Sequence, residues 1–265
     1  MNFEKLNETN CRISNIQNND KILIGGSFYG KLDLAVTADT DYFENFFKTV
    51  EKNAANFENN ENMKKFLNGF DPDFDVRIFS HMYAFDNILR KMYPDLSSNI
   101  SKRKGFYDKE GSKTLSQSFK AGVCQCAEIA ILAQTYFQKQ GIETKYFGGE
   151  LLQSPNEEFG EAHSFITIKT EKNDYIYDPA NPMPNSCGVY LPRISAIEAT
   201  PAQKKQFENK IHAENGKRNC AFLEAKNILT KSSWYYGCGD GSNIFSSFII
   251  SKNNIQTPQT KEYGL

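Results

Sequence analysis

The sequence predicts an α+β fold in which a central helix packs on an antiparallel β-sheet, with a mainly helical region at the N-terminus. Two segments before residue 100 repeat apolar side chains at the period of a helix. A further helical segment begins near residue 126, and strand-like runs follow it. Because strands joined by short turns pair in antiparallel fashion, we expect these runs to form the sheet under the helix. The runs cover residues 142–152, 162–170 and 173–179.

The N-terminal segment is polar before its first strand-like run. Residues 1 to about 20 show no apolar period, and we interpret them as a mobile arm or a loosely docked segment. The run KILIGGSFYGKLDLAV, residues 21–36, alternates β-branched and aromatic residues between glycines. This pattern indicates a short hairpin or a glycine-punctuated loop.

Two amphipathic helices are predicted next, over residues 38–57 and 74–92. Their apolar side chains recur at helical spacing, which places them on one face of each helix. His81 lies inside the second helix between apolar neighbours, so we predict a structural role for it. The apolar faces comprise Tyr42, Phe43, Phe46, Phe47 and Val50 in the first helix and Phe74, Ile78, Met82, Phe85 and Leu89 in the second.

The strongest candidate for a domain boundary is the stretch SSNISKRKGFYDKEGSK, residues 97–113. It is polar, charged and punctuated by glycine, as connecting segments are. We therefore predict a mainly helical extension or subdomain over residues 1–100 and the core of the fold over residues 101–265. Further along, residues 200–216 are predicted to form a solvated helix. Residues 232–250 contain the one tryptophan and are predicted to pack in the core or to line a groove.

The composition argues against several kinds of partner. The 31 Lys and Arg residues nearly balance the 32 Asp and Glu residues, so nothing indicates nucleic acid or an anionic membrane as a partner. No run of about 18 apolar residues predicts a membrane span, and the N-terminus lacks the apolar stretch of a signal peptide. We therefore predict a cytoplasmic protein with reduced cysteines, and export by a signal-less route is the alternative.

The stretch AGVCQCAEIAILAQTYFQKQGI, residues 121–142, places two cysteines at the start of the central helix. From Cys126 onward the apolar residues follow the helical period, and Gly141 suits the left-handed position that ends a helix. The helix is therefore predicted to begin at or near Cys126. Main-chain N–H groups and the macrodipole at a helix N-terminus lower the pKa of a thiol placed there. This placement predicts a nucleophilic thiolate.

A thiol that transfers acyl groups also needs a general acid and a group that orients that acid. His163 stands at the start of one strand-like run, and Asp178 stands near the end of the next. If these runs pair as an antiparallel hairpin, the start of one lies beside the end of the other. His163 and Asp178 would then be neighbours, and Pro179 would end the ladder.

Three motifs thus occur in order: a cysteine that heads a helix ending in Gly-Ile, a strand carrying Ala-His, and a strand ending in Asp-Pro. The residues are Cys126, Glu128, Ala130, Gly141 and Ile142, then Ala162-His163, then Tyr177-Asp178-Pro179. This order and spacing resemble the transglutaminase-like superfamily of papain-type thiol enzymes, and Cys-Ala-Glu-Ile-Ala is most similar to its peptide N-glycanase branch. The resemblance covers residues from about 115 to 180. It implies a papain-like catalytic core over 101–265 with Cys126, His163 and Asp178 as the triad.

Alternatives remain at the nucleophile. The run GVCQ at residues 122–125 also resembles the start seen in some family members, so Cys124 is the second candidate. Alignment on Cys126 is preferred because it puts Ala130 at the family's small-residue position. The Cys124-x-Cys126 pair would otherwise hold zinc, although no Cys-x-x-Cys knuckle supports this. The remaining zinc ligands would be Cys187, Cys220 or His212.

Three nearby side chains are assigned supporting roles. Gln117 and Gln125 are candidates to join the Cys126 N–H in stabilising an oxyanion. Glu128, in the first turn of the helix, complements the helix dipole.

The resemblance implies a thiol-dependent acyl-transfer enzyme that acts on an amide, either a peptide bond or a protein glutamine side chain. We expect a hydrolase, meaning a cysteine protease or deamidase, with a protein or peptide substrate and no cofactor or metal. The alternatives are a transferase, such as a transglutaminase or an N-acyltransferase, and a protein-binding module with a vestigial triad.

Overall fold

The computed structural model describes residues 12–24, 35–71, 74–96, 100–109, 113–154, 161–208, 221–238 and 249–250. These residues form an α+β fold, as predicted, with helices packed against a large antiparallel sheet. Two residues named above, His212 and Cys220, lie outside the described ranges, as do the glycines of the run over residues 21–36.

Seven α-helices and thirteen strands occur in the described ranges. The helices are α1 (Glu44–Glu58), α2 (Glu61–Asn68), α3 (Val76–Met92), α4 (Ile100–Tyr107), α5 (Leu115–Lys120), α6 (Cys126–Lys139) and α7 (Pro201–Glu208). The strands are β1 (Arg12–Ile13), β2 (Asp20–Leu23), β3 (Ala35–Ala38), β4 (Lys113–Thr114), β5 (Thr144–Leu152), β6 (Glu161–Lys169), β7 (Asp174–Tyr177), β8 (Met183–Pro184), β9 (Tyr190–Leu191), β10 (Ile194–Ile197), β11 (Ala221–Asn227), β12 (Ser233–Cys238) and β13 (Ile249–Ile250).

Six strands of the large sheet close on themselves. The order is β1, β5, β12, β11, β10, β7, β6, and β6 also pairs with β5. Every pairing in this sheet is antiparallel. Because alternate residues of each strand face inward, side chains fill a closed sheet of this size. A buried apolar cluster occupies this space, formed by Phe147, Phe165, Ile176, Leu223, Ala225 and Tyr236.

Helix α6 lies between the sheet and the N-terminal helices. One side of it contacts β5 and β6. On the other side, the Tyr136 ring lies 5.7 Å from Phe47 of α1 and 5.8 Å from Phe85 of α3. One apolar core therefore runs from the N-terminal helices through α6 to the sheet. The division of the chain near residue 100 stays a prediction.

The two predicted N-terminal helices form with small changes. A 3-10 turn at Thr40–Phe43 precedes α1 in the first of them, and the Asp75 carboxylate caps α3 in the second by accepting the Arg77 N–H at 2.8 Å. The inward position predicted for Tyr42 is wrong, because its side chain is 47% exposed and lies under the Lys120 ammonium.

The interpretation of the N-terminal segment as a mobile arm or loosely docked segment is wrong for residues 12–20. Strand β1 pairs with β5, and Ile13 and Ile16 are buried. The Gln134 amide of α6 donates to the Ile13 carbonyl at 2.7 Å. Main-chain pairing and two buried isoleucines hold this segment against the core.

The predicted hairpin over 21–36 corresponds to β2 and β3, which pair in antiparallel fashion on either side of residues outside the described ranges. These strands belong to a smaller sheet in the order β13, β2, β3, β4. In the part of the chain that the structure describes, no helix has both the length and the apolar character needed to cross a bilayer.

Candidate active site

Helix α6 begins at Cys126, as the sequence predicted. Gln125 before it has extended backbone, and its N–H donates to the Glu128 carboxylate at 3.1 Å, which satisfies the turn that starts the helix. At the other end, Gly141 takes a left-handed conformation with φ of +71°. The helix bounds therefore place the Cys126 thiol at the positive end of the helix dipole.

His163 and Asp178 come together through the pairing of β6 with β7. The register sets Ile166 opposite Tyr177, so the start of β6 lies beside the residue that follows β7. The His163 Nε2 atom lies 2.8 Å from Asp178 Oδ2. Both side chains are buried. This is the hairpin geometry that the two sequence runs predicted.

The Cys126 thiol, which is partly exposed, interacts with the His163 imidazole. Burial raises the pKa of this thiol and the hydrogen bond and charge of His163 lower it, and the pKa is lowered overall. A main-chain hydrogen bond from Ser164 lowers the pKa further. Nε2 of the imidazole is hydrogen-bonded to Asp178, which leaves Nδ1 as the ring nitrogen that can bond the thiol. These interactions favour a thiolate beside an imidazolium.

The pKa values of His163 and Asp178 are also shifted, each in the direction that favours its charged form. Burial lowers the pKa of His163, but the Asp178 charge and hydrogen bond raise it well above the usual value, helped by Cys126. Burial raises the pKa of Asp178, but the His163 charge and its hydrogen bond lower it overall. The charges of a thiolate, an imidazolium and a carboxylate therefore support one another in this site.

Cys124, the alternative nucleophile, has a different environment. Its side chain is 3% exposed, and burial together with the Glu128 charge raises its pKa well above the usual value. The structure brings Cys126, not Cys124, to the imidazole.

Asn181 joins the site, and the sequence analysis missed it. Its side-chain amide donates to Asp178 Oδ2 at 3.1 Å and lies 3.5 Å from His163 Nε2. The Asn181 carbonyl in turn accepts from Arg193 at 2.8 Å. The signal for it was the Asp-Pro-Ala-Asn run, since Asp and Asn three residues apart after a strand are typical of a turn closed by side chains.

Helix α3 also contacts the turn that follows Asp178. Arg90 donates to the Pro179 carbonyl at 2.6 Å, and its other terminal nitrogen lies 3.3 Å from the Asp86 carboxylate. Burial raises the pKa of Asp86 to about 7, although the Arg90 charge opposes this rise. The N-terminal helices thus contact the segment that carries Asp178.

The other side chains singled out from the sequence have structural partners. The Gln117 amide oxygen accepts the Thr114 N–H at 3.0 Å, and the Gln125 amide oxygen accepts from Arg103 at 2.9 Å. His81 is buried, and its Nδ1 lies 2.5 Å from the Tyr136 hydroxyl.

The zinc alternative can be examined in part. Cys187 is an exposed free thiol, while Cys220 and His212 lie outside the described ranges. Among the residues that the structure describes, no group of three His, Cys, Asp or Glu side chains is arranged to hold a metal ion.

Comparison of the chain with protein-family models, with curated proteins and with solved structures finds no match. A partly exposed thiol, a buried imidazole and a buried carboxylate in hydrogen-bonding sequence have the arrangement required for nucleophilic attack on a carbonyl carbon.

Proposed function

We propose that this protein is a thiol-dependent acyl-transfer enzyme of the transglutaminase-like, papain-type class. It acts as a hydrolase on an amide, either a peptide bond or a protein glutamine side chain. The observation that carries the proposal is the hydrogen bond of 2.8 Å between buried His163 and Asp178, beside the partly exposed Cys126 at the head of α6.

Each residue of the proposed triad has one task. The Cys126 thiolate attacks the amide carbonyl carbon, and the main-chain N–H at the start of α6 stabilises the oxyanion. The His163 imidazolium gives its proton to the amine nitrogen as the carbon–nitrogen bond breaks, which leaves a thioester on Cys126. His163 then takes a proton from water, which attacks the thioester and releases the acid. Asp178 keeps the imidazole in the required orientation.

Two further features support this class of enzyme. Helix α6 packs on β5 and β6 while β6 and the end of β7 supply His163 and Asp178, which is the relation expected for a papain-like core. A nucleophilic Cys126 must be a free thiol, as it is in the structure, and a reducing compartment such as the cytosol keeps a thiol in that state.

The proposal is tested with a panel of unstructured peptides that contain internal glutamine. Peptide cleavage and ammonia release are measured by mass spectrometry and an ammonia assay for the wild type and for Cys126→Ala. Cys124→Ala is the matched control, because it removes a thiol two residues away that does not contact His163. We expect product from the wild type and the control and none from Cys126→Ala.

The panel also separates the branches of the chemistry. Glutamate formation identifies a deamidase, a cut main chain identifies a protease, and incorporation of an added primary amine identifies a transferase. Product that persists in Cys126→Ala would overturn the assignment of the nucleophile. If no peptide gives a product and the Cys126 thiol has ordinary reactivity, the enzyme proposal fails. The protein-binding module with a vestigial triad would then be the better account.

A further inference from the structure

A buried ion pair joins α4 to the first turn of α6. The Arg103 guanidinium of α4 lies 2.7 Å from Glu128 Oε1 of α6. Arg103 is 3% exposed and Glu128 is fully buried. The Tyr107 hydroxyl, one turn along α4, donates to the same carboxylate oxygen at 2.7 Å, and it lies 2.9 Å from the Ser118 hydroxyl of α5. Helices α4 and α6 therefore meet at this carboxylate, and α5 joins them through Tyr107.

Both members of this ion pair form hydrogen bonds with Gln125, the residue that precedes Cys126. Glu128 Oε2 accepts the Gln125 N–H at 3.1 Å, and Arg103 donates to the Gln125 side-chain oxygen at 2.9 Å. Glu128 thus binds the main chain of Gln125, and Arg103 binds its side chain. Because Cys126 follows directly, these bonds fix where the first turn of α6 points.

The carboxylate also acts on the thiols by its charge. Glu128 raises the pKa of Cys126 and of Cys124, and Arg103 lowers that of Cys124. On the other side of Cys126, His163 of β6 lowers its pKa. A buried carboxylate without its cation would therefore oppose the thiolate at short range, in a medium that screens charge weakly.

We propose that Arg103 is a positioning residue for the Cys126 nucleophile, and that it acts through the buried Glu128 carboxylate and Gln125. It holds the start of α6 in place, and it pairs with the Glu128 carboxylate so that this charge does not oppose the Cys126 thiolate. This inference rests on the proposed function only for the role of Cys126 as nucleophile, since the effect of Arg103 is measured on the thiol itself.

The test is the pH dependence of iodoacetamide alkylation at Cys126, resolved by peptide mass spectrometry. Arg103→Met keeps a long side chain and removes the charge. We expect Cys126 in this variant to alkylate about tenfold more slowly at about pH 6, with a midpoint shifted to higher pH by about one unit. Lys104→Met is the matched control, because it removes an exposed charge from the same helix, and we expect it to leave the profile unchanged.

A second variant separates charge from structure. In Arg103→Met/Glu128→Gln, the carboxylate is neutral and an amide oxygen can still accept the Gln125 N–H, so the wild-type profile should return to within about threefold. Circular dichroism melting curves check that each variant is folded.

Two outcomes would overturn the inference. The first is an Arg103→Met profile equal to that of wild type. The second is an equal slowing in the single and double variants at every pH, which would mark a merely structural role. If Arg103→Met does not fold, Glu128→Gln and the double variant are compared. The proposal expects Cys126 to alkylate more slowly in the double variant, because that variant lacks the Arg103 charge and the bond of Arg103 to Gln125, and equal profiles would contradict it. A wild-type Cys126 of ordinary reactivity would count against the proposed function, while the shift between variants would still decide the role of Arg103.

Discussion

Cys126 at the start of α6 and Cys124 just before this helix have thiols with opposite properties. On the sheet side, Cys126 faces His163, and its pKa is lowered against the effect of burial. On the α4 and α5 side, Cys124 is buried near Glu128, and burial together with that negative charge raises its pKa. The thiols are two residues apart, so the nearby side chains rather than position along the chain decide which thiol has the lowered pKa.

Two buried carboxylates show the same contrast. Asp178 has an imidazolium, an asparagine amide and Arg193 nearby, and its pKa is lowered although burial raises it. Asp86 on α3 is equally buried and has Arg90 as its cationic partner, yet its pKa is raised to about 7 by burial. A buried ionisable group therefore stays charged at neutral pH only where several partners favour the charge.

The largest expected difference between the two thiols is in turnover of an amide substrate. Cys126→Ala is expected to lower kcat/KM by at least about 10³-fold, because the attacking atom is removed. Cys124→Ala is expected to change it by less than about threefold, since this thiol does not contact His163. Initial rates on the glutamine peptides measure both. A large loss in Cys124→Ala with activity retained in Cys126→Ala would reverse the comparison.

The next effect comes from the carboxylate that charges the imidazole. Asp178→Asn keeps the shape of the side chain, but without its charge the pKa of His163 falls and the thiolate is less favoured. We expect kcat to fall by about 10²- to 10⁴-fold. Asp174→Asn is the control on the same strand, where the carboxylate pairs with Lys204 at 2.9 Å. Equal kinetics for Asp178→Asn and wild type would remove Asp178 from the mechanism.

The pH profile of kcat/KM follows from the directions of the shifts. The thiolate and imidazolium coexist above the lowered pKa of Cys126 and below the raised pKa of His163. Activity is therefore expected to stay flat through neutral pH and to fall by about tenfold per pH unit on either side. A profile that rises only near the pKa of an ordinary thiol would show that His163 does not activate Cys126.

The smallest effect is expected at Asn181. Asn181→Ala removes a hydrogen bond of 3.1 Å to Asp178 but leaves the pair with His163 in place. We expect kcat to fall by about five-fold, since one hydrogen bond contributes about 1 kcal/mol. Asn59→Ala, at the exposed end of α1, is the control. A loss as large as that of Asp178→Asn would mean that Asn181 orients the imidazole directly.

Local patterns allowed much of this site to be predicted from the sequence. Helix α6, its start at Cys126 and its end at Gly141 follow from apolar period and cap residues over one continuous segment. Strands β5 and β7 lie within the predicted runs, and β6 begins one residue before its run. The nearness of His163 to Asp178 follows from hairpin geometry.

Long-range contacts could not be predicted in this way. The polar, charged composition of residues 97–113 does not predict that this stretch contains α4, whose Arg103 and Tyr107 are buried against Glu128. Charge in a sequence indicates exposure unless a partner elsewhere in the chain neutralises it, and Glu128 lies 25 residues away from Arg103. The docking of residues 12–20 likewise depends on β5, far along the chain.

The central claim is that His163 makes Cys126, and not Cys124, the reactive thiol. The most direct measurement is the rate of iodoacetamide alkylation at each cysteine from about pH 5 to 9, in wild type and in His163→Ala, read by peptide mass spectrometry. We predict that Cys126 of the wild type alkylates rapidly at about pH 6, that Cys124 does not, and that His163→Ala abolishes the difference. Rapid alkylation of Cys124, or a Cys126 whose rate is the same without His163, would contradict the account.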